Sequence, residues 1–539
     1  MNDARRRSTL RGTSELVRLH LRTGRVRISV WLAGVVGLVL LSAGSVRNLY
    51  GTPQEVADYV ALIGLSPNMV ALNRALNGPG FGFDDPNVGV VLVNEVAVWG
   101  AVAFSLMAIV LTARHTRGEE DAERTESVRA RMVGRHAPLA AAALVTAASL
   151  VVAAVVTLGG LLVMGYPWVG SVALVCAYVA AGAVAAGVTA VAAQVVGSSR
   201  ATIGVGVGAL GVAFLVRALG DMGDGRLSWL SPIGWVHRVR PFAGEQWWVL
   251  GLSSAVVAAA AVAALVLSDR RNLGSGLVPP RLGRRRAGPW TVRRLGLLIR
   301  MQRGAAIGWA AGLFVLGLAY GSIARDIEAM FADNPELERF IPMGPSPTDA
   351  YLAYTLALGV MMVGGAVTSS VLRLRAEDAS GRLELVLAHP VARWRWLLDH
   401  LVVALSVGVL ALAASGLGTG LGVAYALDDG GQVLRMVGAS LALLPVVLVL
   451  IGVSTVCVGL VPRVAALAWL GVAVVVVIGL FAELFRLPGW IRGISPLHHL
   501  ASVPAAGFDA ASFAAVSAVA LALVAVGTVA FVRRDVPVL

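Results

Sequence analysis

Lysine is absent. All 44 basic residues of this 539-residue chain are arginines. A Walker A loop needs a lysine on the terminal phosphates of a nucleotide, so the chain cannot build one. Schiff-base chemistry is excluded on the same ground. Cysteine is nearly absent too. Cys176 and Cys457 stand alone, too few for a zinc site or a disulfide framework, and each lies in an apolar run where it reads as a small buried hydrophobe. Charge is scarce as well: 14% of residues are charged and 57% are hydrophobic, a balance that cannot cover the surface of a water-soluble protein. What the chain has instead is a series of apolar runs, each near the roughly 20 residues that cross a bilayer as a helix. It reads as an all-α polytopic membrane protein.

Twelve spans are expected, at roughly 28–46, 90–113, 138–164, 168–196, 201–219 and 247–267, then 304–322, 350–372, 396–425, 432–461, 464–483 and 511–532. Arg5, Arg6 and Arg7 precede the first, but no small-residue cleavage site follows it, so it reads as a retained span. Arginine sets the orientation, because cytoplasmic loops attract it. With the N-terminus inside, 33 of the 44 arginines fall in cytoplasmic segments. Both termini are therefore expected in the cytoplasm. Residues 268–289, rich in Gly, Pro and Arg, read as a solvated basic linker between a first half (1–267) and a second (290–539). The same rule accounts for the linker's arginines, so no nucleic-acid partner is inferred.

The halves repeat. Shifted by 258 positions, Arg117, Glu119, Arg124, Glu126, Val128, Ala130, Val133 and Arg135 meet Arg375, Glu377, Arg382, Glu384, Val386, Ala388, Val391 and Arg393, with Glu120 facing Asp378. Arg22, Arg25, Trp31 and Gly34 likewise answer Arg300, Arg303, Trp309 and Gly312, and Ser231–Pro232 answers Ser495–Pro496. Both copies point the same way, which makes a parallel pseudo-dimer of two six-helix repeats. The repeated charged stretches follow spans two and eight. Glu120 and Arg124, like Asp378 and Arg382, are four apart with the acid first, a helix-supporting pair. The positive-inside rule explains their arginines but not their acids, so a docking helix is favoured over a plain loop. Gly204, Gly206 and Gly208, and Gly416, Gly418, Gly420 and Gly422, read as close-packing stripes.

The order of these elements resembles the membrane subunits of ABC exporters with the ABCG-like (type V) fold. More closely, "RHTRGEEDAERTESVRARMVGRH" and "RAEDASGRLELVLAHP" resemble permeases of the polyketide-antibiotic or tetronasin-type multidrug exporter family. That resemblance implies connecting helices at 14–27 and 290–303, coupling helices at 119–135 and 377–393, and re-entrant elements at 229–242 and 494–506. ATPase coupling would then fall to Glu119, Glu120, Arg124, Glu126 and Arg135, and to Glu377, Asp378, Arg382, Glu384 and Arg393. Spans two, five, eight and eleven would line the cavity, offering Phe104, Phe214, Met361, Met362 and Phe481 to a hydrophobic small-molecule substrate. Two copies of a separate ATPase would bind ATP and Mg, and the chain itself no cofactor and no metal. Two features depart from the family pattern: a segment of about 45 residues after span one, and leucines at 383, 385 and 387 in the second charged copy.

Other classes remain in view. An ion-coupled secondary transporter with the same six-plus-six layout would need carboxylates or histidines deep in the membrane. Only Glu95, Arg217, Glu483, Asp399 and His400 come near, all at expected span ends. A membrane-embedded enzyme would need a converging polar constellation that the sequence does not assemble.

Overall fold

The computed structural model describes residues 9–64, 67–121, 133–271, 275–278, 288, 293–327, 346–379, 383, 391–482 and 488–534. No strand occurs among them. Among the described residues, twelve helices are long and apolar enough to cross a membrane. The chain divides into two compact units, residues 1–282 and 283–539.

In the first unit α1 (Thr13–Leu49) is followed by two short helices, α2 (Pro53–Gly64) and α3 (Pro67–Leu76). Then come α4 (Val88–His115), α5 (Arg117–Asp121), α6 (Ala137–Val163), α7 (Trp168–Val195), α8 (Ser199–Met222), α9 (Pro232–Arg238) and α10 (Val249–Arg270). The spans are α1, α4, α6, α7, α8 and α10. The second unit has α11 (Arg294–Gly321), α12 (Pro347–Ala379), α13 (Arg393–Leu427), α14 (Gln432–Leu441), α15 (Leu444–Leu460), α16 (Ala468–Phe481), the short α17 (Gly489–Arg492) and α18 (Ala510–Arg533).

Local chemistry sets several of these ends. The Asn87 side chain accepts from the Gly89 and Val90 amides at the start of α4, and Ser198 and Asp509 cap α8 and α18 in the same way. Such caps satisfy amides that the first helical turn leaves unpaired. The tenth span is broken between α14 and α15. Pro445 sits in the first turn of α15 and has no N–H to continue the ladder from α14.

Two elements differ from expectation. No separate connecting helix precedes span one: α1 runs unbroken for 37 residues, because no proline interrupts it at the membrane boundary. The long segment after span one, for which no helix was expected, forms α2 and α3, each opening on a proline, a residue suited to the first helical position. The re-entrant stretches also differ from one another. Residues 227–230 form a 3-10 turn leading into α9, whereas the second copy is a short 3-10 turn over Pro496–His499.

Spans two and eight sit at the centre of their own units. In α4 and α12, 72% of the hydrophobic window is buried, against 17% in α10 and α11. The second glycine stripe packs as expected, on two sides. A Cβ on Gly418 or Gly422 would lie 2.1 Å or 2.5 Å from the carbonyl oxygens of Phe314 or Leu318 on α11. One on Gly416 or Gly420 would strike Met436 or Val433 on α14. Of the first stripe, Gly206 alone packs closely, against Ile109 and Thr189, while Gly204 and Gly208 face open space.

These contacts set an expectation for stability in detergent. Gly418→Ala or Gly422→Ala forces backbone apart and lowers the melting temperature, at a cost of about 1–3 kcal/mol. Gly204→Ala and Gly208→Ala leave it unchanged or raise it, alanine being the better helix former by up to about 1 kcal/mol. Equal losses at all four positions would refute the packing assignment.

Candidate functional site: arginine clamps at the span ends

The charged stretch after α4 begins with a break in the helix. Thr116 leaves helical geometry (φ −108°, ψ −90°), and its hydroxyl donates to the Thr112 carbonyl at 2.7 Å. This turns the chain so that Arg117 points inward, only 1% exposed. Its guanidinium donates to the Ala193 carbonyl at the end of α7, to the Ser275 carbonyl at 2.9 Å and to Glu120 Oε2 at 2.9 Å. Arg271, one residue past α10, grips the other side of the same carboxylate. It donates to Glu120 Oε2 at 2.8 Å, bonds Oε1 as well, and reaches Gln194 Oε1 at 2.8 Å. Glu120 is thus held between two guanidiniums. Next to it, Asp121 accepts from the Ser199 amide at 2.8 Å, where α8 begins.

The far end of the stretch is fastened to the same helix. Arg135 donates to the carbonyls of Ser268 (3.0 Å) and Asp269 (2.6 Å) in the last turn of α10, and its Nε lies 3.3 Å from the Asp269 carboxylate.

The second unit repeats the arrangement with its own residues. Arg375 donates to the Pro462 carbonyl at 2.8 Å and lies 3.2 Å from Asp378 Oδ2. Arg534, just past α18, donates to that same oxygen at 2.6 Å and to the Val458 carbonyl at 3.1 Å. Arg393 donates to the carbonyls of Val532 (3.4 Å) and Arg534 (2.7 Å). Aspartate is one methylene shorter than glutamate, and here a single oxygen serves both arginines. Glu377 lies 3.5 Å from His400 Nε2. In the first unit Glu119 pairs instead with Arg114, at 3.7 Å.

The structure therefore brings Glu120, Arg135, Asp378 and Arg393 into two matching clamps. It adds Arg117, Arg271, Arg375 and Arg534, which the sequence reading counted only as positive-inside arginines or as repeat landmarks. A signal was present: an Arg-Arg pair closes the sixth span of both halves, at 270–271 and 533–534. Arg124, Glu126, Arg382 and Glu384 lie outside the described residues. One neighbour had no sequence signal. His20 of α1 and His115 of α4 stack at 4.5 Å, both buried, beside a cleft of about 50 Å³ that Glu119, Glu120, Arg135 and Arg271 also line.

The candidate cavity residues are scattered. Phe104 is fully buried and stacks on Tyr178 at 5.2 Å, and Met361 is buried with its methyl against Gly479. Both are core packing. Phe214 is half-buried, with the Arg217 guanidinium 4.9 Å above its ring, and Met362 is exposed. The Phe481 side chain lies outside the described residues. An apolar cavity of about 280 Å³ does open between α4, α7, α8 and the turn into α9, lined by Ser105, Val188, Leu210, Ala213 and Ile233 among others. Two more, of about 360 and 670 Å³, are lined mostly by small residues of α6, α7 and α10.

At the opposite end of the first unit, buried polar groups tie α2 and α3 down. Tyr59 bonds Glu95 and accepts from Asn94 Nδ2 at 2.7 Å, and Asn94 also bonds Asn73 at 2.8 Å. Arg217, fully buried on α8, donates to the carbonyls of Arg74, Ala75 and Leu76, the last turn of α3. A cation there also suits the negative end of the helix dipole. His237 on α9 is buried against Gly78. Its burial, and then the Arg217 charge, push its pKa down to about 3.

Twelve apolar helices among the described residues, six in each unit, make this a multi-pass membrane protein, and its relative makes it a plasma-membrane permease. The chain is 35% identical to the multidrug efflux system permease protein Rv1217c of Mycobacterium tuberculosis (strain ATCC 25618 / H37Rv), over 98% of this chain and 96% of the relative. The profile described as "Multidrug efflux system permease Rv1217c, C-terminal domain" matches residues 293–532. The chain belongs to the Rv1217c permease family, consistent with the ABC-type exporter resemblance, and is a transporter rather than an enzyme.

The clamps and the buried histidine each set an expectation. Glu120→Gln leaves Arg117 and Arg271 without their counter-charge, and breaking a buried pair from one side costs about 3–5 kcal/mol. A clear drop in melting temperature is expected, and an unchanged one would remove Glu120 from the clamp. For His237 the folded pKa lies below the unfolded value of about 6.5. Stability owed to the neutral ring is complete above that value and is lost as pH falls toward 3, by at most about 1.4 kcal/mol per pH unit. Melting curves at pH 7 and pH 4.5 should therefore diverge less in His237→Asn than in the wild type.

Proposed function

We propose that this chain is the membrane subunit of an ATP-driven exporter of hydrophobic compounds, powered by two copies of a separate ATPase. ATP and Mg would be bound in that partner. On this reading both termini and the stretches 119–135 and 377–393 face the cytosol, where the ATPases press on them. The observation that carries the reading is the duplicated clamp: the same Arg–carboxylate–Arg arrangement follows the second span of each unit. A device present twice, at equivalent places, suits a pair of identical motors acting on two halves. The absence of lysine supports the division of labour, because a nucleotide site of the Walker type must then lie on another chain. The efflux named for the Mycobacterium tuberculosis relative and the apolar cavities support a hydrophobic cargo.

The ion-coupled alternative gains little from the buried titratable groups. Glu95, Arg217 and Asp221 are bonded to α2, α3 and the turn before α9 at one end of the first unit, and His237 is buried on α9 beside them.

Charge reversal tests the docking surface directly. Glu126→Arg with Glu384→Arg is expected to abolish co-purification of the ATPase and drug export together, while the chain still inserts and folds. Survival of both activities would rule out these stretches as the ATPase contact. Export that outlasts ATP depletion and collapses with the proton gradient would instead favour ion coupling.

A further inference from the structure

Each clamp ties the charged stretch to one particular span. In the first unit both ends of the 117–135 stretch are fastened to the end of α10: Glu120 through Arg271, and Arg135 through Ser268 and Asp269. In the second unit both ends of the matching stretch are fastened to the end of α18: Asp378 through Arg534, and Arg393 through Val532 and Arg534. The tie to α8 through Asp121 and Ser199 has no counterpart, since Ala379 stands at the equivalent position. Span four contributes carbonyl oxygens and the Gln194 amide, but no charge. In the first unit the backbone of Thr9 and Arg11, ahead of α1, also holds the far end, through the His136 and Gly134 amides; among the described residues, span six is the element whose arginine and carbonyls grip both ends of the stretch in both units.

We infer that the sixth span of each unit, α10 and α18, is the output lever of the transport cycle, and that Arg271 and Arg534 are the positioning residues that couple it to the charged stretch. The inference rests on the ATPase reading above. Two physical facts set the direction of motion. Pulling the carboxylate off its arginines strands buried charges, so a push on the stretch is accommodated more readily by carrying span six along than by opening the clamp. Span six is also far less enclosed by protein than span two: 17% of the apolar stretch of α10 and 22% of that of α18 are buried, against 72% in α4 and α12. The second span is then the fixed post and the sixth the arm that swings.

The native complex, purified from membranes through a tag on the full chain and placed in nanodiscs, allows a direct measurement. Spin labels replace the exposed Arg270 and Arg533, which lie beside the clamp arginines on the two sixth spans. The wild-type clamp is expected to give a label separation that shifts on adding Mg-ATP with vanadate. Arg271→Gln with Arg534→Gln should keep the ATPase bound and hydrolysing, yet lose the shift and at least about fivefold of export, the low end of coupling between distant sites. Arg271→Lys with Arg534→Lys, which restores the charge without the fork, should recover part of both. Where the double variant fails to fold, each single glutamine substitution is read the same way. A glutamine variant that shifts and exports like the wild type overturns the inference. So does one that sheds the ATPase, since the arginines would then serve docking. A wild type that binds no ATPase sinks the earlier reading and this inference with it, a failure visible without any variant.

Discussion

A guanidinium shut away from water cannot stand without a counter-charge, and much of this architecture follows from that. Arg117 is almost fully buried where α4 ends. Its charge is tolerable only because Glu120 lies one helical turn away and because carbonyls from α7 and the segment after α10 supply its remaining acceptors. Once the carboxylate is committed to Arg117, it becomes the natural seat for a second arginine, and Arg271 takes it. The ends of spans two, four and six are thereby bound into one knot by a handful of charge-assisted hydrogen bonds, which are stronger and more directional than their neutral counterparts. The second unit reaches the same solution through Arg375, Asp378 and Arg534.

The two units keep the knot and vary what surrounds it. The first carries the stacked His20 and His115; the second has Arg373 at the position matching His115, and that guanidinium donates to the Met301 carbonyl at 3.0 Å. In the first unit α10 approaches its neighbours with few glycines. In the second, Gly452, Gly459 and Gly527 bring α15 and α18 to backbone contact. Close backbone approach of this kind is how membrane helices gain packing where no hydrophobic drive separates protein from lipid. The shared feature is therefore the charge geometry, while the apolar packing around it has drifted. A duplicated sequence that conserves its packing less than its clamps points to the clamps as the part both halves need.

What was legible in the sequence divides along the same line. The spans could be read because crossing a bilayer imposes a length on every apolar run; the observed helices fall on the expected ones, most ends moved by several residues, with spans one and seven starting a further turn or more early at Thr13 and Arg294 and span ten broken in two. The Gly416–Gly422 stripe could be read because helical spacing alone puts alternate members on two faces. Glu120 and Asp378 stood out because the repeat placed acids where topology requires none. Their partners were visible only as Arg-Arg pairs closing the sixth spans, with nothing to join them to the acids: Arg271 lies 151 positions from Glu120 and Arg534 lies 156 from Asp378, and no local rule connects residues so far apart. Where the Phe104 and Met361 side chains pack could not be read for a related reason. A resemblance names the spans that face a cavity, but which face of each helix turns inward is settled by neighbours such as Tyr178 and Gly479.

The position of the remaining buried charge bears on how energy enters. Carriers that run on ions place titratable groups where a proton or cation can reach them from either side in turn. Here Glu95 is bonded to Tyr59, and Asp221 is shared between Arg217 and Ser228. The burial of Tyr59, reinforced by the Glu95 charge, raises its pKa and keeps the phenol protonated as a donor. Arg217 is occupied as the cap of α3. Each group is bonded within the network that holds α2 and α3 in place, so moving it would loosen those helices rather than open a path. The clamps at the other end have the opposite character. They join the sixth spans, each packed mainly on one neighbouring helix, to the stretch best placed to receive an outside force. A machine with its rigid charges at one end and its articulated ones at the other is better matched to a push from a partner than to the passage of an ion.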